Sequence, residues 1–160
     1  MSASLPLQQI ELLLWRKGES QPFCFPTNSP SFTTYPVPAH PRYLLEADVA
    51  FYKANCLPAL HTQLSHLFLS APQGIFLGDQ AEPDFPGRCL KIEEIFSFQP
   101  KRIKKYLKAK GIRQLQISQR NFPFSVKKIR PQLGVADGGK YTLFCSLVDG
   151  EKKAFLCMTE

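Results

Sequence analysis

The stretch YTLFCSLVDGEKKAFLCM, Tyr141–Met158, decides the fold. Two apolar-rich runs, Tyr141–Val148 and Lys153–Met158, are joined through Asp149–Gly150, a pair that favours the positive φ angles of a two-residue hairpin turn. A tight antiparallel pair is therefore expected, preceded by a second tight turn at Asp137–Gly138–Gly139. Working back along the chain, Ser125 is placed to cap a short helix that buries Val126, Ile129 and Leu133. Pro131 lies inside that helix, which favours its first turn over its second. Ile112–Ser118 reads as a strand with Leu115 and Ile117 facing inward. Pro100 and Gly111 bracket a helix over Lys101–Lys110, with Ile103, Tyr106 and Leu107 on its apolar side. Cys89–Phe98 has strand composition, with Leu90, Ile92 and Phe96 on one side and a slip at Glu93–Glu94 that predicts a bulge. From residue 87 the order is strand, helix, strand, helix, strand, strand. This predicts an α/β (α+β) fold, a mixed sheet with helices packed on it.

Further upstream the signals are sparser. Asp48 is a plausible N-cap for a helix with Val49, Tyr52, Cys56 and Leu57 on one face and Leu60 and Leu64 following, kinked or split at Pro58. Ile75–Leu77 reads as a short strand, and Pro83–Gly87 as a turn cluster. Gln8–Trp15 reads as one strand or short helix ending at Arg16–Lys17–Gly18. Gln21–Arg42 carries six prolines and reads as a linker or edge segment, because proline lacks the donor a central strand needs. Residues 1–42 thus look like the tail of an upstream domain and its linker, and the chain like part of a longer protein. Residues 43–86 and 87–160 follow as two further units.

The composition, 44% hydrophobic and 21% charged over 160 residues, is that of a globular protein. The longest apolar runs, such as Ile10–Trp15 broken by Glu11, are far short of the ~20 residues that span a bilayer. Met1–Leu7 has no secretory-signal pattern, so a cytoplasmic setting is expected, with no membrane partner. Cys24, Cys56, Cys89, Cys145 and Cys157 are odd in number and scattered, which argues against a disulfide framework or a zinc site, and Cys145 and Cys157, in apolar alternating stretches, read as small core residues.

Charge is distributed unevenly. Residues 1–85 hold four basic and seven acidic side chains, whereas residues 86–160 hold sixteen basic and six acidic ones. Between Lys101 and Arg130 there are eleven basic residues and no acid. A solvated helical face normally mixes signs, since like charges at i, i+4 weaken the helix. The imbalance therefore points to an external anion, with nucleic acid the commonest. The candidate RNA-binding residues are Lys101, Arg102, Lys104, Lys105, Lys108, Arg120, Lys127, Lys128 and Arg130. Phe122, in the turn Arg120–Asn121–Phe122–Pro123, is expected in the core. Arg88 is expected to form a structural salt bridge or carbonyl clamp between the two units.

Catalytic chemistry is not indicated. The sequence has no glycine-rich dinucleotide or triphosphate loop and no serine in a nucleophile elbow. His61 and His66 are five apart rather than four, and read as surface or capping residues. Glu93 and Glu94 are adjacent in a strand and cannot act as a catalytic pair. No catalytic, metal or cofactor site is expected in this chain.

Several of these residues carry a family resemblance. Glu46-Ala47-Asp48-Val49-Ala50 is similar to the start of a short ferredoxin-like segment. Asp84-Phe85-Pro86-Gly87-Arg88, Arg120-Asn121-Phe122-Pro123 and Asp137-Gly138-Gly139 resemble the THUMP-like carboxy-terminal domain. In that family both segments follow a class I S-adenosylmethionine-dependent methyltransferase domain. Ala47 stands where the family usually has proline. The resemblance covers about residues 43–160. It implies a ferredoxin-like segment followed by a THUMP-like domain that targets RNA (tRNA or rRNA), while S-adenosylmethionine belongs to a catalytic domain outside this chain. A different class stays open: a protein-interaction module whose basic face docks on an acidic partner or on the methyltransferase domain itself.

Overall fold

Asp149 and Gly150 take φ angles of 50° and 75°, so the turn fits the right-handed twist of the strands on either side. The strands it joins are β8 (Tyr141–Val148) and β9 (Glu151–Met158), the centre of a computed structural model that describes residues 9–16, 18–26 and 36–159. Around them β3 (Tyr43–Ala47), β4 (Phe68–Leu69), β5 (Phe76–Gly78), β6 (Gly87–Ser97) and β7 (Gln116–Arg120) complete a seven-stranded sheet. Its order is β4-β5-β3-β6-β9-β8-β7. All neighbours are antiparallel except β7 and β8. That parallel pair requires a crossover, which α4 (Val126–Leu133) provides. The other helices are α1 (Val49–Lys53), α2 (Leu57–Gln63) and α3 (Pro100–Ala109). β1 (Gln9–Arg16) and β2 (Glu19–Pro26) form a separate two-stranded sheet.

The sheet curls on itself. Even-numbered residues of β3 and odd-numbered residues of β9 face one another across its inside, where Leu44, Leu77, Leu90, Phe144, Phe155 and Cys157 share a core. The outside carries two more. Leu45, Ala47, Phe51, Leu57, Leu60 and Phe76 pack with α1, α2 and the hairpin residues Leu14 and Phe25. Ile103, Leu107, Ile129 and Leu133 of α3 and α4 cover Leu143, Cys145, Ala154 and Leu156.

One strand serves both sides because of a bulge. The β6–β9 register shifts between Ile92, paired with Cys157, and Glu94, paired with Leu156. The expected slip is therefore present, but its consequence differs from the sequence reading. Leu90 and Ile92 face the inside core, whereas Phe96 faces α3. An extra residue reverses the alternation, so the three side chains cannot lie on one side.

Other expectations shift locally. The strand read at Ile112–Ser118 is β7, Gln116–Arg120, although Leu115 and Ile117 are buried as expected. The strand read at Ile75–Leu77 is Phe76–Gly78. Asp48 does cap α1, its Oδ1 accepting from Ala50 N at 3.0 Å. Pro58 falls in the first turn of α2, which is why one expected helix is two. Phe51, not Val49, is the buried residue of α1, and Val49 is exposed. Gln21–Pro26 is an edge strand rather than linker, since a two-stranded sheet leaves Pro22 and Pro26 an open side. Residues 27–35 of the proline-rich segment, and Met1–Leu7, lie outside the described residues. His61 is buried, with its Nε2 2.8 Å from Leu67 O, because its helix faces the first outer core.

No described helix is long and apolar enough to cross a membrane.

Candidate nucleic-acid interface

α3 owes its form to two buried side chains, Ile103 and Leu107, four apart on one face, with Tyr106 packed edge-on against Phe96 at 5.0 Å. The rest of the helix is cationic. Lys101, Arg102, Lys104, Lys105 and Lys108 are all exposed, and none forms an ion pair among the described residues. The first turn holds no acid, so Lys101 and Arg102 oppose the positive end of the helix dipole.

Lys104 differs from its neighbours. Its Nζ lies 3.3 Å from where a Cβ on Gly134 would stand. Gly134 is the left-handed C-cap of α4, and an ammonium there meets the negative end of that helix. Lys127 and Lys128 extend the basic surface from the first turn of α4. Ser125 occupies the N-cap position, but its side chain makes no cap hydrogen bond; only its backbone carbonyl accepts, from Lys128 N and Ile129 N. α4 continues through Pro131 to Leu133.

Arg120 and Arg130 are already engaged inside the fold. Arg130 donates from Nη1 to Leu115 O at 3.2 Å and from Nη2 to Asp137 Oδ1 at 2.7 Å, tying α4 to the glycine turn before β8. Arg120 donates from Nε to Glu46 Oε1 at 2.9 Å, and its guanidinium lies 4.3 Å from the centroid of the Tyr52 ring. Arg88 donates from Nε to Glu46 Oε2 at 2.9 Å and pairs with the same oxygen through Nη2. One buried carboxylate thus holds two arginines, each from a different segment of the resembling motifs. Gly87 allows this approach: a Cβ there would lie 1.9 Å from Glu46 O. Arg88 is a structural salt bridge, as read from the sequence.

The Tyr52 hydroxyl donates to Gly74 O at 2.9 Å. Burial first, and then the Glu46 carboxylate, push its pKa up to about 12. Cys145 and Cys157 are likewise pushed up to about 12 by burial, which makes them inert thiols. Phe122 packs with Phe98 at 5.0 Å and Phe124 at 5.8 Å, on the rim of the helix-covered core.

Sequence reasoning missed a second basic feature. Lys110, Arg113 and Lys140 converge on a cleft of about 650 Å³ between the end of α3 and the glycine turn. Lys110 and Arg113 belong to the basic run Lys101–Arg130, but Lys140 stands 27 positions beyond Arg113 and outside it, so the run does not mark the cleft. Among the described residues no group of three His, Cys, Asp or Glu side chains is placed to hold a metal. What the arrangement can do chemically is bind an extended polyanion.

Residues 87–159 match a family model described as THUMP domain-like. The chain is also similar to a solved structure described as "Crystal structure of putative methyltransferase from Porphyromonas gingivalis W83", with a TM-score of 0.83 and 27% identity. That match covers 99% of this chain and 40% of the other, so this chain spans about two-fifths of that protein's length. No curated protein matches the sequence. The THUMP-like resemblance read from the motifs is therefore borne out over residues 87–159.

Proposed function

We propose that this chain is the RNA-targeting part of an S-adenosylmethionine-dependent methyltransferase, and that the methyl transfer itself belongs to a catalytic domain outside residues 1–160. The observation that carries the reading is the exposed, sign-pure face of α3, with cations and no acid in its first turn. A surface like this neutralises phosphates and orients a strand without reading its bases. The THUMP-like match and the methyltransferase neighbour support the same role. On this reading S-adenosylmethionine is held by that catalytic domain rather than by residues 1–160.

The test reverses charge on α3 while sparing Lys104, which lies beside the α4 C-cap residue Gly134. Lys105→Glu combined with Lys108→Glu places both changes on one face, three residues apart. Fluorescence anisotropy with labelled tRNA should show weaker binding. The slope of log affinity against log salt should become shallower by about 1.5, at ~0.7–0.9 per lost phosphate contact. Unchanged affinity and slope in the folded variant would reduce the basic face to a solvated surface.

A second reading concerns docking on protein. Leu13 and Trp15 are 65% and 76% exposed on the outer side of the β1–β2 hairpin. Two large apolar side chains left in water on a two-stranded sheet suit contact with a catalytic domain. If the basic face binds only an acidic protein and no RNA, this class of reading takes over.

A further inference from the structure

The cleft beyond the end of α3 is built more firmly than its surface position suggests. Its floor is a backbone join: Leu115 N donates to Ala136 O at 3.1 Å, and Ala136 N to Arg113 O at 3.0 Å. The turn above approaches closely, since a Cβ on Gly139 would lie 2.8 Å from Gln114 O and its φ of 79° already favours glycine. Behind the turn, Arg130 binds both Leu115 O and Asp137. The turn's own carboxylate is therefore already matched.

The rim presents three cations that this network leaves over. Lys110, Arg113 and Lys140 are exposed and make no ion pair among the described residues. Two are set against aromatic faces, Lys110 Nζ at 5.7 Å from the Tyr106 ring and Lys140 Nζ at 5.4 Å from the Tyr141 ring. Cations set in this way around one concavity suit the oxygens of a phosphate group.

The geometry points to a phosphate-binding cleft in which Lys110, Arg113 and Lys140 grip the phosphate of a nucleotide. Arg113 supplies the planar fork and the two lysines supply point charges. The inference deepens the RNA-binding reading, on which it rests for the source of the phosphate. Lys101 to Lys110 spans about 14 Å of helix, so a strand following α3 would run into the cleft and be anchored there. A free nucleotide is the other carrier of the same group.

The experiment uses the 160-residue chain with two probes, a short single-stranded RNA and AMP, read by amide-resolved NMR and by anisotropy. Binding in the cleft should shift the amides of Gly111, Arg113 and Gly139. Arg113→Ala with Lys140→Ala should weaken RNA binding about tenfold or more, and Arg113→Lys with Lys140→Arg should restore part of it. If AMP shifts these amides while RNA does not bind, the cleft stands with a small nucleotide as its ligand, and the RNA reading falls. If the α3 variant loses RNA but the cleft variant binds like wild type with unshifted amides, the cleft is overturned and the RNA reading stands. If neither probe moves these amides and anisotropy shows no RNA binding to the wild-type chain, both are overturned.

Discussion

Glu46 on β3 and Arg120 on β7 are joined at 2.9 Å although they stand four places apart in the sheet order. In a flat sheet, at ~4.8 Å between neighbouring strands, they would be roughly 19 Å apart. The ion pair therefore closes the curl: β7 returns over the start of β6, where Arg88 meets both Glu46 and, at 3.4 Å, Ser118 Oγ. The Glu46 side chain is only 10% exposed, against 42% for Arg88 and 34% for Arg120. The carboxylate is the shared, desolvated member.

Replacing that member should cost more than replacing either arginine. Glu46→Ala leaves the guanidiniums of Arg88 and Arg120 without the carboxylate they share. Breaking a fully buried pair costs about 3–5 kcal/mol, and the arginines' contact with water lowers this to about 2–3 kcal/mol. Tm should fall by about 5–10 °C in a chain of this size. Arg88→Ala should cost less than half as much. Calorimetry on the two variants checks the order, and equal melting of Glu46→Ala and wild type would remove the clasp from the account.

Alkaline pH should loosen the fold in a defined window. Tyr52 keeps its proton up to about pH 12 when folded, whereas an unfolded tyrosine ionises near about 10. Its folded pKa is raised, so its contribution is complete below about pH 10 and is lost as pH rises toward about 12. Cys145 and Cys157, also raised to about 12, begin to act earlier, because free thiols ionise lower. Urea midpoints should therefore decline from about pH 9 and more steeply above about 10. Tyr52→Phe should be less stable at neutral pH, having lost the bond to Gly74 O, but show a shallower alkaline decline. An identical slope in the variant would place the titrating group elsewhere.

The parts of this fold legible in the sequence are those specified locally. The β8–β9 hairpin, the Asp48 cap, the Pro100–Gly111 bracket and the bulge near Glu93 each follow from a few adjacent residues. The curl is not local. Nothing near Glu46 announces that Arg120, seventy-four positions later, will neutralise it. Both arginines counted as free cations, Arg120 and Arg130, are taken up by carboxylates that only tertiary structure brings within reach. Lys101, Arg102, Lys105 and Lys108 of α3 stayed where the helical period put them, on an exposed face where no ion pair is formed among the described residues. The cleft was invisible for the opposite reason: Lys140, outside the basic run, joins Lys110 and Arg113 only through the glycine turn.

The bulge offers the sharpest test of how one strand supplies two cores. Glu93 is the residue that β6 has in excess of β9, so Ile92 pairs with Cys157 and Glu94 with Leu156. Deleting Glu93 would restore strict alternation along β6. If the register around Leu90 were kept, Phe96 would turn from α3 toward the inside of the curl, and the helix-covered core would lose the ring that meets Tyr106 at 5.0 Å. If the register beyond Glu94 were kept instead, Leu90 and Ile92 would leave the inside core they share with Phe144 and Phe155. Either way large apolar side chains lose their pockets, at about 3–5 kcal/mol for a phenylalanine alone. Set against a typical total of about 5–15 kcal/mol, that makes the deletion severe. Glu93→Ala keeps the residue count and should fold normally, since Glu93 is exposed. Far-ultraviolet circular dichroism and thermal melts of the two variants give the comparison. A deletion variant that melts within a few degrees of Glu93→Ala would mean that the bulge does not set which core Phe96 joins.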